Sequence, residues 1–370
     1  MSNLLRIFAA LILMYLQALS RGPFHPPVRP TATPTFTATA VWTNTTTPTL
    51  TFTSTSTPVP SATRTPTLTP TPTSAPSPRA AMPDPTGFDI AGAPPAQTLP
   101  SAILIYPLIQ SSATQETRIE LVNLTNAAIS VQCFFVGSGT CNEIDFFLSL
   151  TATQPLSWIA STGLGGNGIR VAPPFVGEGE LKCVVRPSTP DLSSHNALQG
   201  RALISDTNGQ VIGYSAIGFR RLTPGPFTGS VSLDGVNYEQ CPDRLHFQAL
   251  TSQSDSDSQL VLVPCSEDLE NQIPSATTVQ FSVINELEQR LSAATMLSCF
   301  DHRNFSSISA LRRSNVGTDT AHVIVRGTDV PVIGLVIERF AVPGSNALST
   351  SANEPTFEGG RSASVNLPPE

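Results

Sequence analysis

The chain is poor in the residues that catalytic and redox sites commonly need. Its 370 residues include only five histidines, and its six cysteines contain no Cys-x-x-Cys pair. Nucleophilic catalysis needs a base beside the nucleophile, and a zinc or redox site needs closely spaced cysteines, so neither is expected. We therefore predict no enzyme activity and no cofactor.

Positive charge is scarce as well. The formal net charge is −7, and lysine occurs once, at Lys182, against 19 arginines. An acidic surface repels phosphate backbones, so we expect no nucleic-acid partner. The excess of arginine over lysine is typical of a GC-rich genome and favours a bacterial origin.

Long hydrophobic runs are absent except at the N-terminus. Residues 1–20 place Arg6 before an apolar run from Ile7 to Leu19, and this order predicts a secretory signal peptide. The run is shorter than the ~20 residues of a transmembrane helix, so an uncleaved anchor is the less favoured alternative. We expect a secreted or cell-surface protein.

Threonine and proline dominate the segment that follows. Between Pro30 and Pro78, 20 of 49 residues are threonine and 10 are proline. Prolines at this density remove too many backbone donors for a sheet, and the apolar residues are too few to offset the ordering entropy. We predict that residues 21–100 form a disordered Thr/Pro-rich stalk with a polyproline II reach of up to ~150 Å. Its composition suits an O-glycosylated stalk and an unmodified linker equally.

Short apolar runs separated by turn residues begin at about residue 101. They are rich in β-branched and aromatic residues, and Gly, Pro, Asn and Ser lie between them. This pattern predicts an all-β fold of two antiparallel β-sandwich domains, loosely immunoglobulin-like. We place the domains at residues 101–222 and 244–345. Residues 223–243 are predicted to be a linker, and residues 346–370 a disordered tail.

Two segments of the predicted domains resemble each other. Ala202–Phe219 aligns without a gap on Val323–Phe340, so that Gly213 matches Gly334. In the first segment the Asn208-Gly209 pair predicts a tight hairpin turn. We predict a bulge or a close backbone approach at both aligned glycines.

Six cysteines in an exported chain predict disulfides. Cys133–Cys183 is the preferred pair in the first domain. Cys265 has two candidate partners: a bond to Cys299 would make Cys241 reach back to the first domain, whereas a bond to Cys241 would leave other thiols to pair differently or remain free. The disulfide candidates are Cys133, Cys141, Cys183, Cys241, Cys265 and Cys299.

Three motifs resemble functional sites, and each has a simpler explanation. Ser215 lacks the G-x-S-x-G pattern of a hydrolase, and its counterpart in the aligned segment is Val336. GLGGNG at 163–168 matches a dinucleotide fingerprint, but two prolines soon after it forbid the helix that must follow. Asp255 and Asp257 are a weak calcium candidate in a loop without the Gly and Glu of an EF-hand. We predict no catalytic or cofactor-binding residue.

Several stretches resemble a group of uncharacterised secreted bacterial proteins, and the likeness covers most of residues 101–345. They are TRIELVNLTNAAISVQCFFV, LTATQPLSWIAS, GELKCVVRP and QLVLVPCSEDLENQ. The resemblance implies export and tandem β-structure, and it implies no activity, substrate or site residue.

The order of signal, stalk and β-domains predicts an exported, non-enzymatic protein with a structural or adhesive role. Its expected partners are a cell-envelope polymer, a glycan or another surface protein. One alternative is an extracellular carbohydrate-binding protein, and another is a secreted hydrolase with His302 or His322 in a cleft. The stacking faces that the carbohydrate-binding alternative would use are Trp158, Tyr106, Tyr214 and Tyr238.

Overall fold

Within the residues that the structure describes, the protein is almost entirely β. The computed structural model describes residues 99–251, 257–341 and 348–369. The predicted signal peptide at 1–20, and the predicted stalk at 21–100 apart from its last two residues, lie outside them. None of the helices in the described part of the chain has the length and apolar character needed to span a membrane. The all-β prediction is confirmed.

The first nine strands form two layers that pack face to face as an antiparallel sandwich. One layer is β4-β3-β6-β1-β9 and the other is β5-β2-β7-β8. The layers join where Ser111 of β1 pairs with Glu116 of β2, and the ring of Phe146 on β4 meets Trp158 on β5 edge-on. The strands are β1 (Ile103–Ser111), β2 (Gln115–Asn123), β3 (Ile129–Gly137), β4 (Glu143–Leu150), β5 (Pro155–Ile159), β6 (Gly177–Arg186), β7 (Leu198–Asp206), β8 (Val211–Ser215) and β9 (Ile217–Phe219), with a helical turn at Leu192–His195.

The remaining strands form a second sandwich and a small sheet. They are β10 (Ser230–Leu233), β11 (Arg244–Leu250), β12 (Gln259–Pro264), β13 (Glu267–Asp268), β14 (Ala276–Asn285), β15 (Arg290–Ser298), β16 (Asp301–Asn304), β17 (Thr320–Gly327), β18 (Val332–Ala341), β19 (Leu348–Asn353), β20 (Thr356–Glu358) and β21 (Ala363–Asn366). The sandwich consists of β15-β14-β17-β11-β20 and β16-β12-β18-β19, and the small sheet is β10-β21-β13. Helical turns at Phe305–Ser307, Ser309–Leu311 and Arg313–Val316 lie between β16 and β17.

The two sandwiches are stacked on each other and share an apolar core. On β12, Leu260 and Leu262 belong to the interior of the second sandwich, whereas Val261 and Val263 belong to the same cluster as the first sandwich. The strand is therefore buried on both faces, which explains its continuous apolar sequence LVLV. The described residues all fall within one compact unit, so the two predicted sandwiches are not separated by a free linker.

Two segments predicted to lie outside the β-domains belong to the fold. The predicted linker, 223–243, contributes β10, and the predicted tail, 346–370, contributes β19, β20 and β21. The prediction of a disordered tail is therefore wrong. β19 pairs with β18 and β20 with β11 at the edges of the second sandwich, whereas β21 lies between β10 and β13 as the central strand of the small sheet. Val365 and Leu367 supply the buried apolar side chains in an otherwise polar stretch.

The predicted hairpin is confirmed, but its aligned segment is not a hairpin. β7 and β8 pair from Arg201–Ser215 to Ser205–Val211, and Gly209 in the turn has a φ of 80°. In the second sandwich, β17 pairs with β11 and β14, while β18 pairs with β12 and β19. The chain thus crosses between sheets, and Arg361 donates to the carbonyl oxygens of this crossing at Thr328 (2.9 Å) and Asp329 (3.1 Å).

The aligned glycines also differ. A Cβ atom at Gly334 would lie 2.0 Å from the carbonyl oxygen of Val261, whereas at Gly213 the nearest atom would be a methyl group of Leu203 at 3.0 Å. The predicted close backbone approach is confirmed at Gly334. At Gly213 it is wrong, because only a flexible side chain lies nearby and the β7–β8 register is regular.

The cysteines form three pairs at disulfide distance. Cys133 and Cys183 lie directly opposite each other on β3 and β6, with Cα atoms 4.1 Å apart, as predicted. Cys241 pairs with Cys265, which was one of the two alternatives. Cys141 pairs with Cys299 across 158 residues of sequence and bonds the first sandwich to the second.

Candidate functional site

The residues weighed as a hydrolase site do not converge. Ser215 is exposed at the end of β8, where its backbone N–H donates to Oε1 of Glu354 at 2.8 Å. His302 is buried against Glu178 between the sandwiches. His322 lies on β17, where its ring stacks on that of His246 with centroids 5.2 Å apart. Each histidine therefore has a partner other than the serine.

The weak calcium candidate is described only in part. Asp255 lies outside the described residues. Asp257 accepts hydrogen bonds from the backbone N–H of Ser306 at 3.1 Å and from its hydroxyl at 2.5 Å, so this carboxylate fastens one loop to another. Among the described residues, no group of three or more His, Cys, Asp or Glu side chains is arranged to hold a metal ion.

The GLGGNG segment is a turn in the first sandwich. Leu164 and Arg170 form a bridge across it, and Gly163 and Gly168 take positive φ values of 66° and 76°. The glycines are thus explained by turn geometry, as the sequence indicated.

The four aromatic side chains proposed as stacking faces are all buried. Trp158, Tyr106, Tyr214 and Tyr238 are each at most 5% exposed. The hydroxyl of Tyr106 donates to the carbonyl oxygen of Glu120 at 2.9 Å, and that of Tyr238 accepts from Arg221 at 3.2 Å. These rings are core residues and offer no face to a glycan.

A groove of about 530 Å³ lies on the outer face of the layer β5-β2-β7-β8. Strand alternation places Arg118 and Glu120 on this face of β2, while Ile119 between them is buried. The groove is lined by Arg118, Glu120, Leu121, Val122, Pro155, Leu156, Ser157, Gln199, Gly200, Arg201 and Ser215.

The pairing register of the four strands in this layer brings one polar side chain from each strand into a single row. Ser157 on β5 is opposite Glu120 on β2, Glu120 is opposite Arg201 on β7, and Arg201 is opposite Ser215 on β8. Directly opposite residues share a face and have Cβ atoms about 5 Å apart. The row therefore crosses the full width of the groove and includes Ser215.

Two arginines flank one carboxylate in this row. Glu120 accepts from Nε of Arg201 at 2.7 Å and lies 3.2 Å from Nε of Arg118, and Arg118 also donates to the hydroxyl of Ser157 at 3.1 Å. The arginine side chains are 61% and 51% exposed, whereas Glu120 is only 25% exposed. The residues that line the groove thus carry one net positive charge on a chain of net charge −7, and the carboxylate of Glu354 lies at the Ser215 end of the groove. Half-exposed guanidinium groups are suited to bind carboxylates or phosphates through paired N–H donors.

From the sequence alone, Ser215 is considered only as a hydrolase serine, which the missing G-x-S-x-G pattern disfavours, and the arginines of the groove are not indicated. Arg118 and Glu120 share a face in the alternating stretch TRIELV, which is visible in the sequence. Arg201 is 81 residues away from Glu120, so their contact depends on strand register.

Comparisons with known proteins give weak likenesses. No family model matches the chain, and no curated protein sequence matches it. A crystal structure of Thermotoga maritima 1070 is 11% identical, with a TM-score of 0.24 over 33% of this chain and 99% of that one. The crystal structure of PBSX exported protein XepA is 8% identical, with a TM-score of 0.17 over 66% of this chain and 85% of that one.

Proposed function

We propose that the protein is exported and non-enzymatic, and that it serves a structural or adhesive role by holding the groove of the first sandwich beyond the cell envelope. Its ligand would be a polymer that carries carboxylate or phosphate groups. The observation that carries this proposal is the row in which Arg118 and Arg201 flank Glu120. Export is supported by the predicted signal peptide and by three disulfide pairs, which persist in oxidising compartments.

Glu120 orients both guanidinium groups, and its carboxylate also competes with the ligand for them. An anionic group entering the groove would share the N–H donors that now face the carboxylate. The interaction would weaken as salt rises, since the arginines are more than half exposed. The carbohydrate-binding alternative that depends on stacking gains no support, because its four aromatic residues are buried.

The test is binding of the purified full chain to immobilised alginate, a carboxylated polysaccharide, compared with neutral dextran. We expect binding to alginate alone. Arg118→Ala and Arg201→Ala should each weaken it roughly tenfold, because each removes one charge-assisted contact. Glu120→Gln should strengthen it by removing the internal competitor. N-terminal sequencing of the same protein from its native host shows whether residues 1–20 are removed.

Arg290→Ala is the matched control, because Arg290 is an exposed arginine on β15 of the second sandwich. If Arg290→Ala weakened binding as much as Arg118→Ala, the attraction would be general and the groove would have no special role. Equal binding to dextran and alginate would refute the proposed ligand class.

A further inference from the structure

The single lysine of the chain is buried between the first sandwich and the small sheet. Lys182 lies on β6, and its side chain is 1% exposed. Its Nζ atom lies 2.7 Å from Oε1 of Glu180 on the same strand and also contacts Oε2 of Glu267 on β13. In the sheet, Lys182 is flanked by Ile105 on β1 and Phe134 on β3, both fully buried. The amine and two carboxyl groups therefore meet among buried apolar side chains, and the carboxyl group of Glu143 is near enough to interact electrostatically with Lys182 and Glu267.

The charges of this cluster do not balance if all three groups are ionised. Burial raises the pKa of Glu180 well above its ordinary value, and the nearby Glu267 raises it further. Burial alone would lower the pKa of Lys182, but attraction to Glu180 and Glu267 outweighs burial and raises it. Burial therefore favours the protonated form of Glu180, whose carboxyl group lies beside the contact between Lys182 and Glu267. A neutral acid next to an amine and a carboxyl group is the set of groups that acyl transfer requires.

The use of lysine here contrasts with the rest of the chain, in which the other 19 cationic side chains are arginine. Arginine suits ion pairs with carboxylates better, because its planar fork forms two parallel hydrogen bonds. A primary amine differs in one chemical respect: it can attack a carbonyl carbon. The chain places its only lysine amine against a carboxyl group, in a site where two buried charges are costly.

We propose that Lys182 and Glu267 become joined by an amide bond between Nζ and Cδ, with Glu180 as the proton carrier. The ammonium first passes a proton to the carboxylate of Glu267, which leaves a neutral amine facing a carboxylic acid. The lone pair of Nζ then forms a bond to Cδ, and Glu180 donates its proton to the hydroxyl group that departs. The nitrogen returns one proton to Glu180, and one water molecule leaves. Nothing is oxidised or reduced.

The buried site favours this condensation in two ways. The fold holds the amine and the carboxyl group in contact, which replaces a bimolecular encounter by an intramolecular step. The product exchanges two buried charges for a neutral amide, and this removes the desolvation penalty of the ion pair. The bond would connect β6 of the first sandwich to β13, 85 residues further along the chain.

The test is the intact mass of the full chain after its disulfides have been reduced and alkylated. We expect a mass lower than that of the sequence by one water molecule. Trypsin should then yield one branched peptide that joins residues 171–201 to residues 245–290, because Arg186 precedes a proline and resists cleavage. Fragmentation should place the branch at Lys182 and Glu267.

Three variants assign the roles. Lys182→Arg keeps the positive charge and should show the full mass, and Glu180→Gln keeps the size but should show the full mass or a slow loss of water. Glu178→Gln, two residues away on the same strand, should lose water as the native chain does. A full mass in the native chain, purified from its own host and incubated for days, would overturn the proposal. That result decides the question even if a variant fails to fold.

Discussion

The variants Gly334→Ala and Gly213→Ala test how backbone crowding affects stability. The two glycines are aligned in sequence, but only Gly334 lies against the backbone of a neighbouring strand. A methyl group at Gly334 would lie 2.0 Å from the carbonyl oxygen of Val261 and 2.9 Å from a methyl group of Leu262. The carbonyl oxygen belongs to a central strand, β12, that is buried on both faces, so it cannot move without disturbing both sandwiches. Overpacking of a close-packed core costs 1–3 kcal/mol and occasionally more. We therefore expect Gly334→Ala to lower the free energy of unfolding by about 3 kcal/mol, since here the clash is with backbone.

Gly213→Ala is the matched control for this substitution. Its new methyl group would meet only Cδ2 of Leu203, at 3.0 Å, and that side chain can rotate away. Alanine within a strand is favoured over glycine by roughly 0.5–1 kcal/mol, so the two effects should nearly cancel. Urea unfolding followed by tryptophan fluorescence gives both midpoints, and an unchanged slope shows that the unfolded state is comparable. If both variants changed stability equally, the crowding argument would be refuted.

The remaining predictions concern acid–base balance and covalent bonds between the sandwiches. Burial, with repulsion from Asp145 and Glu267, raises the pKa of Glu143 from 4.5 to about 7. Between these values the folded protein holds a proton that the unfolded chain has lost, so the free energy of unfolding should fall as pH rises from 4.5 to 7. Glu143→Gln should reduce this pH dependence of the free energy of unfolding, measured by urea titrations at several pH values, whereas Glu270→Gln, at an exposed position, should not. If the pH dependence were the same in Glu143→Gln as in the native chain, Glu143 would not be its cause. Replacing Cys141 and Cys299 together by serine should cost about 2–4 kcal/mol, and a double variant as stable as the native chain would show that the shared core alone holds the sandwiches together.

Features set by local residue chemistry could be predicted from the sequence. The β7–β8 turn follows from Asn208-Gly209, because only residues that tolerate positive φ suit such a turn. The all-β class follows from short β-branched runs. Cys133–Cys183 is the preferred pair because a regular hairpin does not place Cys141 opposite Cys133, so a bond between those two needs an irregular loop. Each of these features depends only on contacts within one pair of strands or within one turn.

Features that depend on how separate segments meet could not be predicted. The tail strands contain few apolar residues, and Val365 is buried because β21 inserts between β10 and β13, which come from distant parts of the chain. The groove depends on the register that puts Glu120 opposite Arg201. The scarcity of lysine in the sequence indicates only a GC-rich genome, because nothing in the neighbours of Lys182 reveals that Glu267 lies beside it.

One stretch of the sequence does indicate the stacking of the sandwiches, although the alternation of apolar and polar residues along strands does not reveal it. LVLV in β12 is apolar at every position, which is typical of a strand buried on both faces. In an antiparallel sandwich with one wet face, alternate residues would be polar. The run therefore indicated a second packed surface, and the structure shows that this surface is the first sandwich.

The way the chain enters the fold bears on the proposed adhesive role. The first strand after the predicted stalk, β1, is a central strand, because Ile103–Ile105 pair with β6 on one side and β9 on the other. Antiparallel hydrogen bonds lie perpendicular to their strands, so a pull along β1 loads both ladders together, whereas an edge strand pulled sideways loses its bonds one at a time. Cys141–Cys299 and the proposed bond between Lys182 and Glu267 would then keep the second half attached if the first ladders yielded. Of these two bonds only the amide is insensitive to reductant, so the tether would persist wherever the disulfide is opened.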